Sequence, residues 1–322
     1  DYQWNTYKWT LSLSVPLRWT GYTGVGFSRI SVNPSLSIIY KLNYAWRFTA
    51  HASYKERYGE MTDLYDRPYQ TDYRNSVWNC GILPVYRQQL YSVYGEYKNT
   101  AREFFATVNL THNREWYNRI YEQRIENGQV QRVSLPLSNH GSGYTVKSTL
   151  SKGFYDLGLK TSFLALLNIS KAEQSSGGQR LPYQYRLMRL EPKVIWTPNR
   201  HWETSYQTDI RYGGNKIGER TRLAPLWNVT QQVQLSYIFS PIEASLSVDH
   251  YHNDVNEDQS VNAVFADFSV LWKSRRWQIT ATATNLFDKR TYAYTRYASL
   301  ESYTSWVRIR PREFLVAIRY RL

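Results

Sequence analysis

The stretch Trp277-Gln278-Ile279-Thr280-Ala281-Thr282-Ala283-Thr284 decides how this sequence folds. Trp277, Ile279, Ala281 and Ala283 are apolar or small; Gln278, Thr280, Thr282 and Thr284 are polar. Successive side chains of a strand point to opposite faces, so a strand separates these two sets and a helix mixes them. The pattern recurs outward from here. Phe104, Ala106, Val108 and Leu110 oppose Thr107, Asn109 and Thr111. Trp227, Val229, Val233, Leu235 and Tyr237 oppose Asn228, Thr230, Gln232, Gln234 and Ser236. Ile242, Ala244, Leu246 and Val248 oppose Glu243, Ser245, Ser247 and Asp249.

A soluble sandwich also alternates. Two features favour a barrel in lipid. The apolar faces begin or end with large aromatics, as at Trp9, Trp46, Trp196, Trp202, Trp227, Trp272 and Trp277, where a membrane-interface girdle would lie. Short connections (42–44, 98–100, 153–155, 198–200, 240–241, 273–275) also alternate with long ones (18–32, 55–86, 113–142, 171–182, 213–224, 252–260, 288–303), as periplasmic turns alternate with extracellular loops. Composition agrees: 29 Tyr and 12 Trp accompany a mean hydropathy of −0.59. That combination suits segments with one greasy and one wet face. No apolar run is long enough for a spanning helix, and lipid cannot satisfy an open sheet edge, so closed strands are the expected solution.

The reading is therefore all-β: a transmembrane antiparallel up-and-down barrel over 1–322, with about 14 strands and no plug domain. An even number places both chain ends on the periplasmic side of a bacterial outer membrane. The last strand is expected over 304–322, with a bulge near Pro311 where the apolar phase slips from odd to even positions. The formal charge of +14 is dispersed among apolar residues and reads as a solvated or lipid-headgroup face, not a nucleic-acid site. The single cysteine, Cys80, excludes an internal disulfide.

The C-terminal region resembles the barrel end of TonB-dependent receptors, especially those of Bacteroidetes. Thr284-Asn285-Leu286-Phe287-Asp288 and Arg310-Pro311-Arg312-Glu313-Phe314 carry the resemblance, together with Pro34-Ser35-Leu36-Ser37 before Tyr40. It implies energised uptake of a nutrient through a barrel of about 22 strands with a plug inside. It also implies a plug, a TonB-type energising protein and a surface lipoprotein as partners, beside outer-membrane lipid and lipopolysaccharide. The shortfall in strands suggests the C-terminal part of a longer receptor. The alternatives are a stand-alone passive porin of about 14 strands or an accessory structural barrel.

Three candidate sites follow from residue type and spacing. His250 and His252 share a strand face and could grip a metal, with Asp249, Asp254, Glu257 and Asp258 nearby. Arg308, Arg310 and Arg312, spaced by two, should face together near the outer rim and meet a phosphate or carboxylate. Tyr292 and Tyr294 could stack on a sugar or peptide. No catalytic constellation is present in the sequence, so the expectation is a non-enzyme without a cofactor.

Overall fold

The computed structural model describes residues 1–321 apart from 127–128, 219–220, 223, 257 and 299–300. Fifteen strands form one antiparallel meander. They are β1 (Tyr2–Asn5), β2 (Trp9–Ser14), β3 (Ser35–Lys41), β4 (Trp46–Tyr58), β5 (Val85–Asn99), β6 (Phe104–Tyr117), β7 (Asn139–Phe154) and β8 (Leu159–Ser176). The second half comprises β9 (Gln179–Asn199), β10 (Trp202–Ile217), β11 (Leu226–Phe239), β12 (Ile242–Asp254), β13 (Ser260–Lys273), β14 (Trp277–Thr284) and β15 (Glu313–Tyr320). Each pairs with its chain neighbours. Among the described residues no helix is long and apolar enough to cross a membrane.

The two faces separate as the alternation requires. One carries exposed Val93, Leu110, Val146, Leu167 and Phe268 through its middle, and the other carries the mid-strand charges of Arg189, Glu191 and Asp209. Aromatics edge the apolar face. Near the short turns, Trp9 stacks on Tyr40 (4.3 Å), Trp46 packs on Tyr97 (4.7 Å), Trp202 on Tyr237 (4.6 Å) and Trp277 on Tyr320 (4.8 Å). Near the long loops, Trp227 meets Tyr212 (4.9 Å) and His112 stacks on Tyr144 (4.2 Å). On β10 and β11 the two belts are ten residues apart, Trp202 to Tyr212 and Trp227 to Tyr237. At ~3.4 Å per residue and a tilt of ~40° that is ~26 Å, the height of an apolar band in lipid.

Because strands tilt, hydrogen-bonded rows climb. On the inner face one row runs from Arg47 at the short-turn end of β4 through Glu96, Thr107, Thr149, Leu164 and Glu191. Beyond the β9–β10 junction it continues as Asp209, Thr230 and Tyr251, near the long-loop end of β12.

The structure corrects several expectations. Among the described residues the wall has fifteen strands, since β1 is a separate four-residue strand paired with β2. With an odd number, β1 and β15 run the same way, so the N-terminal end lies at the long-loop rim and the C-terminal end at the short-turn rim. The two ends do not share a side. The expected strand over 304–322 is two elements: Glu301–Arg308 pairs with Thr291–Ala298 as a hairpin inside the last loop, and only Glu313–Tyr320 joins the wall. The phase slip at Pro311 is the boundary between them, not a bulge. Among the described residues, β1 pairs only with β2 and β15 only with β14, so these two strands leave free edges. Phe314, Leu315, Val316 and Ile318 are 63–73% exposed along the β15 edge.

Candidate functional site: the inner face and the mouth

The inner face is wet and charged. Arg189 reaches Glu191 Oε1 (2.5 Å) and Asp209 Oδ2 (3.0 Å), and Arg211 reaches the same Asp209 oxygen (2.5 Å). Arg47 pairs with Glu96 (2.5 Å) and Lys273 with Glu243 (2.7 Å) across adjacent strands. Such pairs are partly solvated and contribute little stability each. Their effect is to hold a hydrophilic wall in fixed geometry.

The last long loop folds onto this face. Its hairpin, Thr291–Ala298 with Glu301–Arg308, packs against β10 to β13. Ala293 is fully buried, and its carbonyl accepts a hydrogen bond from the buried Asn253 Nδ2 (3.1 Å). Tyr292 meets Tyr251 edge-on (5.2 Å). Below the hairpin is a cavity of about 470 Å³ that includes Asp249, Tyr251, Asp267, Tyr292, Arg310 and Glu313.

Asn285 latches both feet of this loop. It has a left-handed backbone (φ 50°), which asparagine tolerates better than most residues. Its Nδ2 donates to the carbonyls of Lys289 and Arg310 (both 2.8 Å), its Oδ1 accepts from Lys289 N (2.9 Å), and its own N–H donates to Asp267 Oδ1 (2.8 Å). Asp288 accepts from Arg312 N (3.0 Å) and from Arg290 (3.0 Å). Those hydrogen bonds hold the Asp288 carboxyl below its usual range. The Asn285 to Asp288 motif is thus a structural clasp.

The sequence-picked residues fare unequally. Tyr292 and Arg310 come together in the 470 Å³ cavity. Tyr294 reaches Tyr292 at 6.0 Å, outside that cavity's lining. Arg308 ends the hairpin opposite Thr291, and Arg312 is held by its backbone at Asp288, so the three arginines do not form one face. The expected periodicity is broken because Ile309–Arg312 is not strand. His250 and His252 share the outer face of β12. His252 Nε2 lies 3.4 Å from Asp254 Oδ1, and its Nδ1 lies 2.9 Å from Asn262 Oδ1. Among the described residues, no three metal-ligating side chains are grouped. Glu257 lies outside the described residues.

A second site was missed by sequence reasoning. The stretch expected as a loop over 113–142 contains a hairpin, Ile120–Glu126 with Gln129–Leu135, whose second strand also pairs with Asn75–Trp78. Together with the tops of β6 to β9 it encloses a cavity of about 620 Å³ at the long-loop mouth. Glu115 accepts hydrogen bonds there from Tyr86 (3.2 Å), Gln88 (3.1 Å), Asn113 (3.0 Å) and Tyr117 (2.9 Å). Burial first, then the Glu115 carboxylate, raises the Tyr117 phenol well above its ordinary value. The guanidinium groups of Arg119 and Arg132 lie over the Tyr121 ring at 4.9 and 4.1 Å. Beside them, Asn139 Oδ1 is buried and has no hydrogen-bond partner among the described residues. The mouth therefore offers cations, aromatic faces and a free acceptor to a polar solute. The dipeptide Asn127-Gly128, a turn former, was the available sequence sign of this hairpin.

Glu122 ties the hairpin down. It is 5% exposed and accepts from Arg124 Nε (2.9 Å), Ser175 Oγ (2.8 Å) and Gly178 N (3.2 Å). The Arg124 hydrogen bond chiefly, then that of Ser175, lowers its pKa. A depressed carboxylate stabilises docking above its unfolded value, and that stabilisation is lost as pH falls through the folded value. Protection from hydrogen exchange at residues 175–178, relative to the intrinsic rate at each pH, should therefore fall once the pH drops below the ordinary glutamate range. Glu122→Gln should exchange fast at neutral pH and lose the acid dependence.

No protein-family model and no curated protein sequence matches this chain. Among solved structures it is similar to the FrpB iron transporter from Neisseria meningitidis, at 9% identity and a TM-score of 0.53, over 90% of this chain and 47% of that one. It also aligns with the ferric-catecholate import receptor Fiu from E. coli K12, at 8% identity and a TM-score of 0.42, over 99% of this chain and 78% of that one. The chain spans about half the length of FrpB. At such identity the likeness is one of fold, that of an outer-membrane β-barrel.

Proposed function

We propose that this chain is the C-terminal wall of an outer-membrane transport barrel of the TonB-dependent receptor type. Its mouth captures a polar solute, and the charged inner face lines the route inward. The plug, an energising TonB-type protein and a surface lipoprotein are the partners this reading calls for. The Bacteroidetes form of the resemblance rests on the 284–288 and 310–314 motifs and on Pro34-Ser35-Leu36-Ser37 before Tyr40.

One observation carries the reading: two unpaired edges that run in the same direction. Bacterial single-chain barrels close antiparallel with an even number of strands. β1 and β15 cannot meet that way, and a second copy in the same orientation offers the same parallel edges. An odd number of further strands solves the problem, and about seven would make the 22 of plugged transporters. A stand-alone porin would need these edges to join.

The test uses the whole protein in a Cys80→Ser background. Gln3→Cys is combined with Ala317→Cys and, separately, with Arg319→Cys, all on the inner face. No intramolecular disulfide should form, because other strands separate the edges. Efficient cross-linking within one molecule would mean that the chain closes on itself, and the receptor reading would fail.

A further inference from the structure

The hairpin at the mouth has two faces. One is packed: Ile120 and Val133 are buried, and Glu122 meets Ser175 of β8. The other turns to the cavity of about 620 Å³. There Gln123 lies opposite Arg132, and Tyr121 and Val130 stand beside them in the lining.

The charges of that lining are nearly all committed. Asp72 accepts from Arg74 N (2.8 Å), Asn75 N (2.9 Å) and Asn75 Nδ2 (2.7 Å). Glu115 holds its four donors, and Glu173 pairs with Arg180 (3.5 Å). Arg119 pairs with Asp63 (3.1 Å). Arg132 differs: among the described residues its guanidinium has an aromatic partner but no acceptor for its N–H groups.

Water solvates an exposed guanidinium readily, so the charge by itself selects nothing. The setting does. The Tyr121 ring holds the Arg132 guanidinium at 4.1 Å, and Arg119, anchored by Asp63, lies over the same ring at 4.9 Å. A guanidinium stacked by its face keeps its N–H edge for a planar anion, and two carboxylate oxygens match that edge. In the same cavity the Asn139 amide is fixed by its Nδ2, which donates to the Glu173 carbonyl (2.9 Å). Its Oδ1 is left as an acceptor with no donor among the described residues.

We propose that the mouth selects a small organic carboxylate that also carries an N–H or O–H donor. The carboxylate sits on the Arg132 edge, and the donor meets Asn139 Oδ1. A cationic solute would have to strip a lining carboxylate of its present partners, and a neutral solute leaves the Arg132 edge unused. This inference rests on reading the mouth as the capture site of the wall.

The experiment measures binding to the whole protein in detergent micelles, with each variant first shown to be folded by its β-sheet spectrum. The probes are benzoylglycine, its neutral amide, its N-methyl form without the N–H donor, and inorganic phosphate. Benzoylglycine should bind about tenfold more tightly than the amide, and more tightly than the N-methyl form or phosphate. Arg132→Gln should abolish the preference over the amide. Arg29→Gln, at a guanidinium 5.9 Å from the Phe27 ring and outside the cavity, should retain it. Equal affinity for benzoylglycine and its amide, or equal losses in the two variants, overturns the site. Phosphate binding as tightly overturns the carboxylate as the ligand group, and equal binding of the N-methyl form overturns the contact to Asn139. The Gln3→Cys cross-links report separately on the wall. Closure of the chain on itself with the carboxylate preference intact would sink the receptor reading and leave this site standing.

Discussion

Placing arginine at Leu110 should destabilise the whole protein folded in lipid vesicles by about 2–4 kcal/mol. Asn109→Arg, one residue earlier, should change stability by only ~0.5 kcal/mol. Leu110 lies midway along β6 on the apolar face, 48% exposed to what surrounds the wall. Asn109 points to the hydrated side, in register with Tyr94 and Lys147. A guanidinium at the first position must leave water for hydrocarbon, and at the second it joins other polar groups. Urea titration in vesicles reads both. Equal costs at the two positions would mean that both faces see the same medium, and a membrane wall would be excluded.

The second large effect concerns the clasp. Asn285→Ala removes two carbonyl partners and one amide partner at a residue only 6% exposed, and places alanine at positive φ. Unsatisfied buried groups and left-handed strain together amount to about 2–4 kcal/mol. The loss falls on hairpin docking, because the bonds join the feet of the loop and not the wall strands. A cysteine placed at Thr295, buried in the parent, should then react with a thiol reagent at least tenfold faster. Asn285→Gly relieves the strain but not the lost bonds, so it should recover only part of the protection. Unchanged labelling in the alanine variant would show that the hairpin docks without its clasp.

Much of the wall was legible because lipid and water impose a two-residue period on every spanning strand. Trp277–Thr284, Ile242–Asp254 and Phe104–Tyr117 lie where alternation placed them. β1 escaped because Tyr2–Asn5 is too short to show a period. That one strand decided the parity and with it the side on which the chain ends lie. The run over 304–322 was misread because two strands of different sheets follow each other with only four residues between them. The mouth was the least legible part. Glu115, Arg119, Tyr121 and Arg132 are assembled by pairing between distant segments, such as Asn75–Trp78 with the strand carrying Arg132, and no local period announces that. The clasp was visible as a family motif, yet its role as a fastening appeared only with the hydrogen bonds of Asn285.

The inclined rows of the inner face give any traffic along it a handed route. Tyr251 under the hairpin and Arg47 at the opposite rim belong to one oblique series of stations, about 4.8 Å from strand to strand. If the wall conducts a solute as proposed, a hydroxyl-rich or charged cargo would grasp the next station before releasing the last, and so turn as it descends, like a nut on a screw. A smooth greasy cargo has nothing to grip.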